Sequence, residues 1–157
     1  MFKATIGGYM TNRRHYERSA RVMFPGMFCD VEHEKFYSDM LSRFHRQDAY
    51  HRALFYTLGL TRETRTHVQD LFDFSNDSIR PKGLKAFWQT GTSLRASRLA
   101  FNLWNGWAEE QQERDSTPHE LFDCRYAPYF FEAIRLRYPE YCRSHDRVPQ
   151  RMNGPTR

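Results

Sequence analysis

The chain has 157 residues, of which 27% are charged and 39% belong to the A-V-I-L-M-F-W-Y-C class, a balance that excludes wholesale disorder. Mean hydropathy is −0.83, and no apolar run approaches the length of about eighteen residues that a membrane span needs. Three cysteines (Cys29, Cys124, Cys142) form no C-x-x-C pair, and MFKATIGGYMTNRR lacks a signal-peptide core, so the chain reads as reduced and cytoplasmic.

Net charge is +5, but it is unevenly placed. Residues 1–29 carry +4 and residues 143–157 carry +3, which leaves −2 on residues 30–142. The expected organisation is a basic N-terminal extension (1–29), a helical domain (30–142) and a basic disordered tail (143–157). Met23 and Met27 suggest that the first two dozen residues lie upstream of the domain's own start. Basic tails attract nucleic acid by a salt-sensitive term that is blind to sequence, so any nucleic-acid contact is assigned to them. Arginine outnumbers lysine 20 to 4 and 25 residues are aromatic, a pairing that suits ring stacking and forked recognition of anions.

From Asp30, a capping residue, His33, Phe36, Tyr37, Met40, Leu41 and Phe44 recur on one face, predicting a helix over about 30–46. Asp48 caps a second helix that should lie deep in the core, with only Arg52 and Tyr56 on a distinct polar side and Gly59 as its C-cap. Thr61 and Glu63 open a third, with Thr64, Val68, Leu71 and Phe72 facing inward. DFSNDSIRPKG is turn chemistry, and Pro81 starts a short helix to Trp88. Thr92 or Ser93 caps a long helix that the periodicity carries through Glu109. Thr117-Pro118-His119-Glu120 has the form of a capping box. A last helix runs from about Pro128 to a stop at Pro139. No segment alternates as a strand does. The expected fold is an all-α, compact single-domain bundle of about six to seven helices.

The wheel of residues 94–109 is apolar over most of its circumference. Arg95, Arg98, Asn102, Asn105 and Glu109 recur at steps of three and four and form one narrow polar ladder. Two uses fit it: a solvated edge, or a groove floor on which the arginines fork onto an anionic partner and the asparagines add paired donors and acceptors. Asparagine is a poor helix former, which favours the partner-binding use.

The seven histidines include no H-E-x-x-H and the sequence spells no ligand set, so no cofactor is assigned. Convergence of His33, Glu34, His51 and His67 in the bundle would make a His/carboxylate metal site, the alternative reading as a metal-dependent hydrolase. Cys124 and His119 lie five residues apart, on different helix faces, with no orienting third group. Catalysis is not favoured.

The succession EHEKFY (32–37), YHRALFYTLGLTRETR (50–65), LFD (71–73), WQTGTSLRASRLAFNLWNGW (88–107) and TPHELFDCRYAPYFFEAIRLRYPEYC (117–142) resembles a family of small uncharacterised proteins from conjugative and other mobile elements of Gram-positive gut bacteria. The resemblance covers residues 32–142 and carries no activity, so no catalytic residue comes with it. It implies a soluble, non-enzymatic accessory protein of a mobile element. Its partner would be nucleic acid, a transfer protein or a host defence complex, the last making it an inhibitor of host defence.

Overall fold

The computed structural model describes residues 25–142. The two basic ends assigned to disorder and nucleic-acid contact, 1–24 and 143–157, lie outside the described residues. Within them the fold is all-α, with seven α-helices: α1 (Val31–Leu41), α2 (Ala49–Leu58), α3 (Arg62–Thr66), α4 (Val68–Leu71), α5 (Gly91–Asn105), α6 (Pro118–Leu121) and α7 (Ala127–Arg137). Two 3₁₀ helices, Pro81–Lys85 and Glu113–Ser116, complete the helical segments.

Helix α2 is the axis of the domain. It packs against α1, α5 and α7, which leaves only its first turn, at Tyr50, open to solvent and buries Arg52 and Tyr56, the expected polar side. Tyr56 Oη donates to Met27 O at 2.8 Å, and Arg52 Nη1 donates to Gln47 O. Each thereby satisfies a polar group that burial would otherwise leave at a cost. Around α2 the core is aromatic and aliphatic: Phe55, Phe72, Phe101, Phe130, Leu54, Leu58, Leu71 and Leu136 are all essentially inaccessible.

Caps place the helix starts. Asp30 accepts from His33 N–H at 2.7 Å, Asp48 from His51 N–H at 3.0 Å, and Thr61 from Thr64 N–H at 3.2 Å. Helix α1 stops at Leu41, short of the expected 46, where Ser42 Oγ turns back onto Asp39 O. Phe44 still reaches the core from the following loop, stacked at 5.5 Å on Phe55. The third predicted helix is broken at His67 into α3 and α4, and Phe72 passes into a strand. That strand, β1 (Phe72–Asp73), pairs antiparallel with β2 (Ser78–Ile79), register Phe72↔Ile79 and Asp73↔Ser78. This two-residue ladder has no alternating signature because it is too short to hold one. Asp73 Oδ1 accepts from the amides of Ser75 and Asn76 and shapes the turn between them.

Further along, one start, one stop and one capping bond differ from the expected ones, and the short helix from Pro81 ends at Lys85, before Trp88. Thr90, not Thr92 or Ser93, caps α5, in a reciprocal box with Ser93. The helix ends at Asn105 because Gly106 takes φ +77, a left-handed conformation that glycine adopts without strain. Thr117 accepts no capping bond: its hydroxyl donates to Arg114 O at 2.7 Å, and α6 is a single turn. Gly59 follows α2 with an ordinary φ of −75, so left-handed geometry is not its role. A Cβ there would lie 2.5 Å from His33 Cδ2. The glycine lets α1 close on α2.

Candidate functional site

The ladder was the site expected from the sequence, and its geometry follows from the stop at Gly106. The chain reverses there, and residues 106–121 fold back along α5. Asn105 Oδ1 accepts from Trp107 N–H at 3.1 Å, and Asn102 Nδ2 donates to Trp107 O at 3.3 Å. Both asparagines thus serve the turn, which explains a poor helix former at these positions. Glu109 is not a rung on the helix but returns to it. Arg98 Nη2 lies 3.4 Å from Glu109 Oε2 and 3.0 Å from Asp115 Oδ2, and Arg95 Nε donates to Glu120 O at 2.8 Å. All five ladder residues are brought together, and each directs polar atoms at the chain's own returning segment. What remains open is a cleft of about 170 Å³ between Gly91, Leu94, Arg95, Arg98, Asp115 and Glu120.

The histidines do not converge. His33 is fully buried; its Nε2 lies 2.7 Å from Tyr56 O and its Nδ1 accepts from Cys29 N–H at 3.3 Å. That pattern assigns the proton to Nε2, and burial lowers the ring's pKa to about 4. Glu34, on the opposite side of α1, is exposed. His51 is held between Asp48 Oδ1 at 2.9 Å and Asp77 Oδ1 at 2.8 Å, with Phe44 and Trp104 against its ring. Burial pushes the Asp48 carboxyl up, but the hydrogen bonds from His51 outweigh it and bring it below the usual carboxylate range. His67 stacks flat on Trp88, with Nδ1 3.3 Å from Asp70. Among the described residues no three His, Cys, Asp or Glu side chains are grouped to hold a metal. The four alternative ligands therefore do not share one site: the three histidines have partners where they stand, and Glu34 faces solvent.

Cys29 is the thiol nearest a histidine, and burial together with Asp30 pushes its pKa up to about 11. Such a thiol is protonated at neutral pH and a weak nucleophile. Three features escaped the sequence reading. Glu132, paired with Arg135 three residues on along α7, accepts from Gly26 N–H. Arg137 Nε donates to Leu103 O at 2.8 Å while its guanidinium lies 3.7 Å from the Tyr50 ring centroid, so α7 closes the C-terminus of α5. The third is a set of uncovered aromatics: Phe87 is 98% exposed, Tyr141 78% and Phe131 65%.

No helix among the described residues is long and apolar enough to cross a membrane. No curated protein and no solved structure matches the chain. Residues 23–150 match the family of unknown function DUF6075, and the chain belongs to that family.

Proposed function

We propose that the chain is a non-enzymatic interaction protein that holds a protein partner on the outer face of α7. One observation carries this reading: α7 is apolar on two opposite sides. Phe130, Ala133 and Leu136 face the core, yet Phe131 and Tyr138, with Tyr141 just beyond, stand in solvent. Aromatic rings left exposed on the outer side of a surface helix suit cover by a partner, and aromatic side chains are the usual anchors of protein interfaces. The basic ends supply a separate, salt-sensitive attraction for nucleic acid. The ladder serves as the brace that holds residues 106–121 in place. A cytoplasmic mobile genetic element is the setting inferred from the resemblance, and inhibition of a host defence complex is its most specific form.

The test is capture with the full chain from lysate of a Gram-positive host, with and without nuclease, beside a Phe131→Glu variant. A protein retained after nuclease and lost in the variant, at unchanged melting temperature, supports the reading. Equal retention by both chains removes α7 from it, and capture that vanishes with nuclease transfers it to the basic ends.

A further inference from the structure

We infer that two copies of this chain associate across a two-fold axis by exchanging Phe87, each ring entering the groove beside the other's 3₁₀ helix Pro81–Lys85. At 98% exposure, Phe87 is bare while the backbone on both sides of it is pinned. Before it, Gly83 lies so close to Asp70 that a Cβ would meet the Asp70 carbonyl oxygen at 2.4 Å. Ala86 N–H donates to Gly83 O at 3.2 Å. After it, Trp88 Nε1 donates to Asp70 Oδ2 at 3.0 Å, its ring stacks at 4.5 Å on His67, and Gln89 Nε2 donates to Gly83 O at 3.1 Å. The exposure therefore does not come from a slack loop. A ring held out on a fixed base is pre-organised to bind, because little freedom is lost when it docks.

Beside it runs a groove of about 590 Å³, with Pro81, Gly83 and Ala86 as its apolar surface and Asp70, Arg80 and Lys82 at its edges. Ala86 directly precedes Phe87, so knob and groove share one patch of surface, yet the ring makes no use of its own groove. A two-fold contact satisfies both at once, since in an isologous interface each copy offers the other the same pair of features. Charge selects the second copy over other occupants. The patch carries Arg80, Lys82 and Lys85 against Asp70, Asp73 and Glu109. Arg80 pairs with Asp73 at 2.9 Å, and Lys85 stands 4.0 Å from Glu109. A patch balanced in this way neither repels its own copy nor offers the cation excess that phosphates require. At the groove Lys82 and Asp70, a half-exposed carboxylate whose Oδ2 already meets Trp88 and His67, are opposite charges able to meet across the axis. The patch is small, which sets the association in the weak, micromolar class.

Sedimentation velocity of the full chain, from about 1 to 200 μM, tests this against a Phe87→Ser variant and an Ala86→Arg variant that fills the receiving groove. A reversible dimer is expected, with its dissociation constant raised about a hundredfold by Phe87→Ser, since each dimer loses two buried rings. Ala86→Arg should weaken it comparably. A photo-crosslinking phenylalanine analogue at position 87, in a mixture of ¹⁴N- and ¹⁵N-labelled chains, should join position 87 of one label to residues 70–86 of the other. A monomer at every concentration overturns the inference, as does a dimer indifferent to Phe87→Ser. A dimer lost in Phe131→Glu but kept in Phe87→Ser also overturns it, by moving self-association to α7. Failure of the exchange leaves the partner face on α7 unaffected, because the two surfaces are tested by different variants.

Discussion

Acid should loosen this domain through His33 before it reaches any carboxylate. The ring is fully buried, donates from Nε2 to Tyr56 O and accepts at Nδ1 from Cys29 N–H, so it has no place for a second proton. Its pKa falls from 6.5 to about 4, chiefly through desolvation. Between those values the unfolded chain binds a proton on this residue that the folded chain does not, so stability is full above pH 6.5 and declines as pH falls towards 4. The full span corresponds to about 3 kcal/mol, with about 2.5 kcal/mol of it lost by pH 4.5. For a domain of this size that is a fall of roughly 10 °C in melting temperature. Urea unfolding of the wild type and of His33→Gln, at intervals from pH 7.5 to 4.5, isolates the effect. Glutamine does not titrate, so its curve should be flatter by about 2.5 kcal/mol whatever its stability at neutral pH. Asp48 and Glu132, whose pKa values are lowered on folding, act at and below the acid edge of this window, and do so alike in both chains. Parallel curves for the two chains, or an NMR titration of His33 near 6.5, would refute the assignment.

Gly59→Ala should cost about 1–3 kcal/mol by calorimetry, because its Cβ meets His33 Cδ2 at 2.5 Å and Phe36 Cδ1 at 3.0 Å. In a His33→Ala background the same change should cost markedly less, with only the Phe36 contact left, and an undiminished cost would point to the backbone instead. Asp77, at φ +50, holds His51 Nε2. Both Asp77→Gly and Asp77→Ala should destabilise, the alanine by about 1 kcal/mol more in urea unfolding because it keeps the left-handed strain without the bond. Arg98→Ala should raise amide exchange across residues 106–117 while leaving α2 protected, and Arg98→Lys should not fully restore it, since the shorter lysine side chain stops short of the point Nη2 occupies between Glu109 and Asp115.

The helices were legible wherever a cap and a long apolar stripe agreed. Asp30, Asp48 and Thr61 each cap where the sequence places them, and α7 spans the stretch that ends before Pro139. Ends were harder to read, because tertiary contacts decide them. The apolar period continues through Trp107 and Ala108, and only the left-handed turn at Gly106 takes those residues off the helix. The polar side of α2 was misread for a related reason. A wheel shows Arg52 and Tyr56 as its least apolar sector, but it cannot show that three neighbours surround the helix and that Gln47 O and Met27 O accept from the two side chains. Thr117 had the residues of a capping box without the helix length to need one.

The ladder shows how far spacing alone can identify a site. Residues at steps of three and four are neighbours on a helix, and five polar ones in a row describe a surface equally well whether a partner or the chain itself comes to lie on it. What separates the cases is the destination of each hydrogen bond, and here Arg95, Arg98, Asn102, Asn105 and Glu109 all bind the 106–121 segment or one another. The groups that could have done chemistry are committed in the same way. The Cys29 thiol is held protonated, His33 is too weak a base at neutral pH, and both ring nitrogens of His51 face aspartates. The polar inventory of the domain is thus turned inward. Its exposed apolar surface lies elsewhere, at Phe87 on one edge and at Phe131 on α7 with Tyr138 just past its end, and it is on these rings that we propose a macromolecule rather than a metabolite binds.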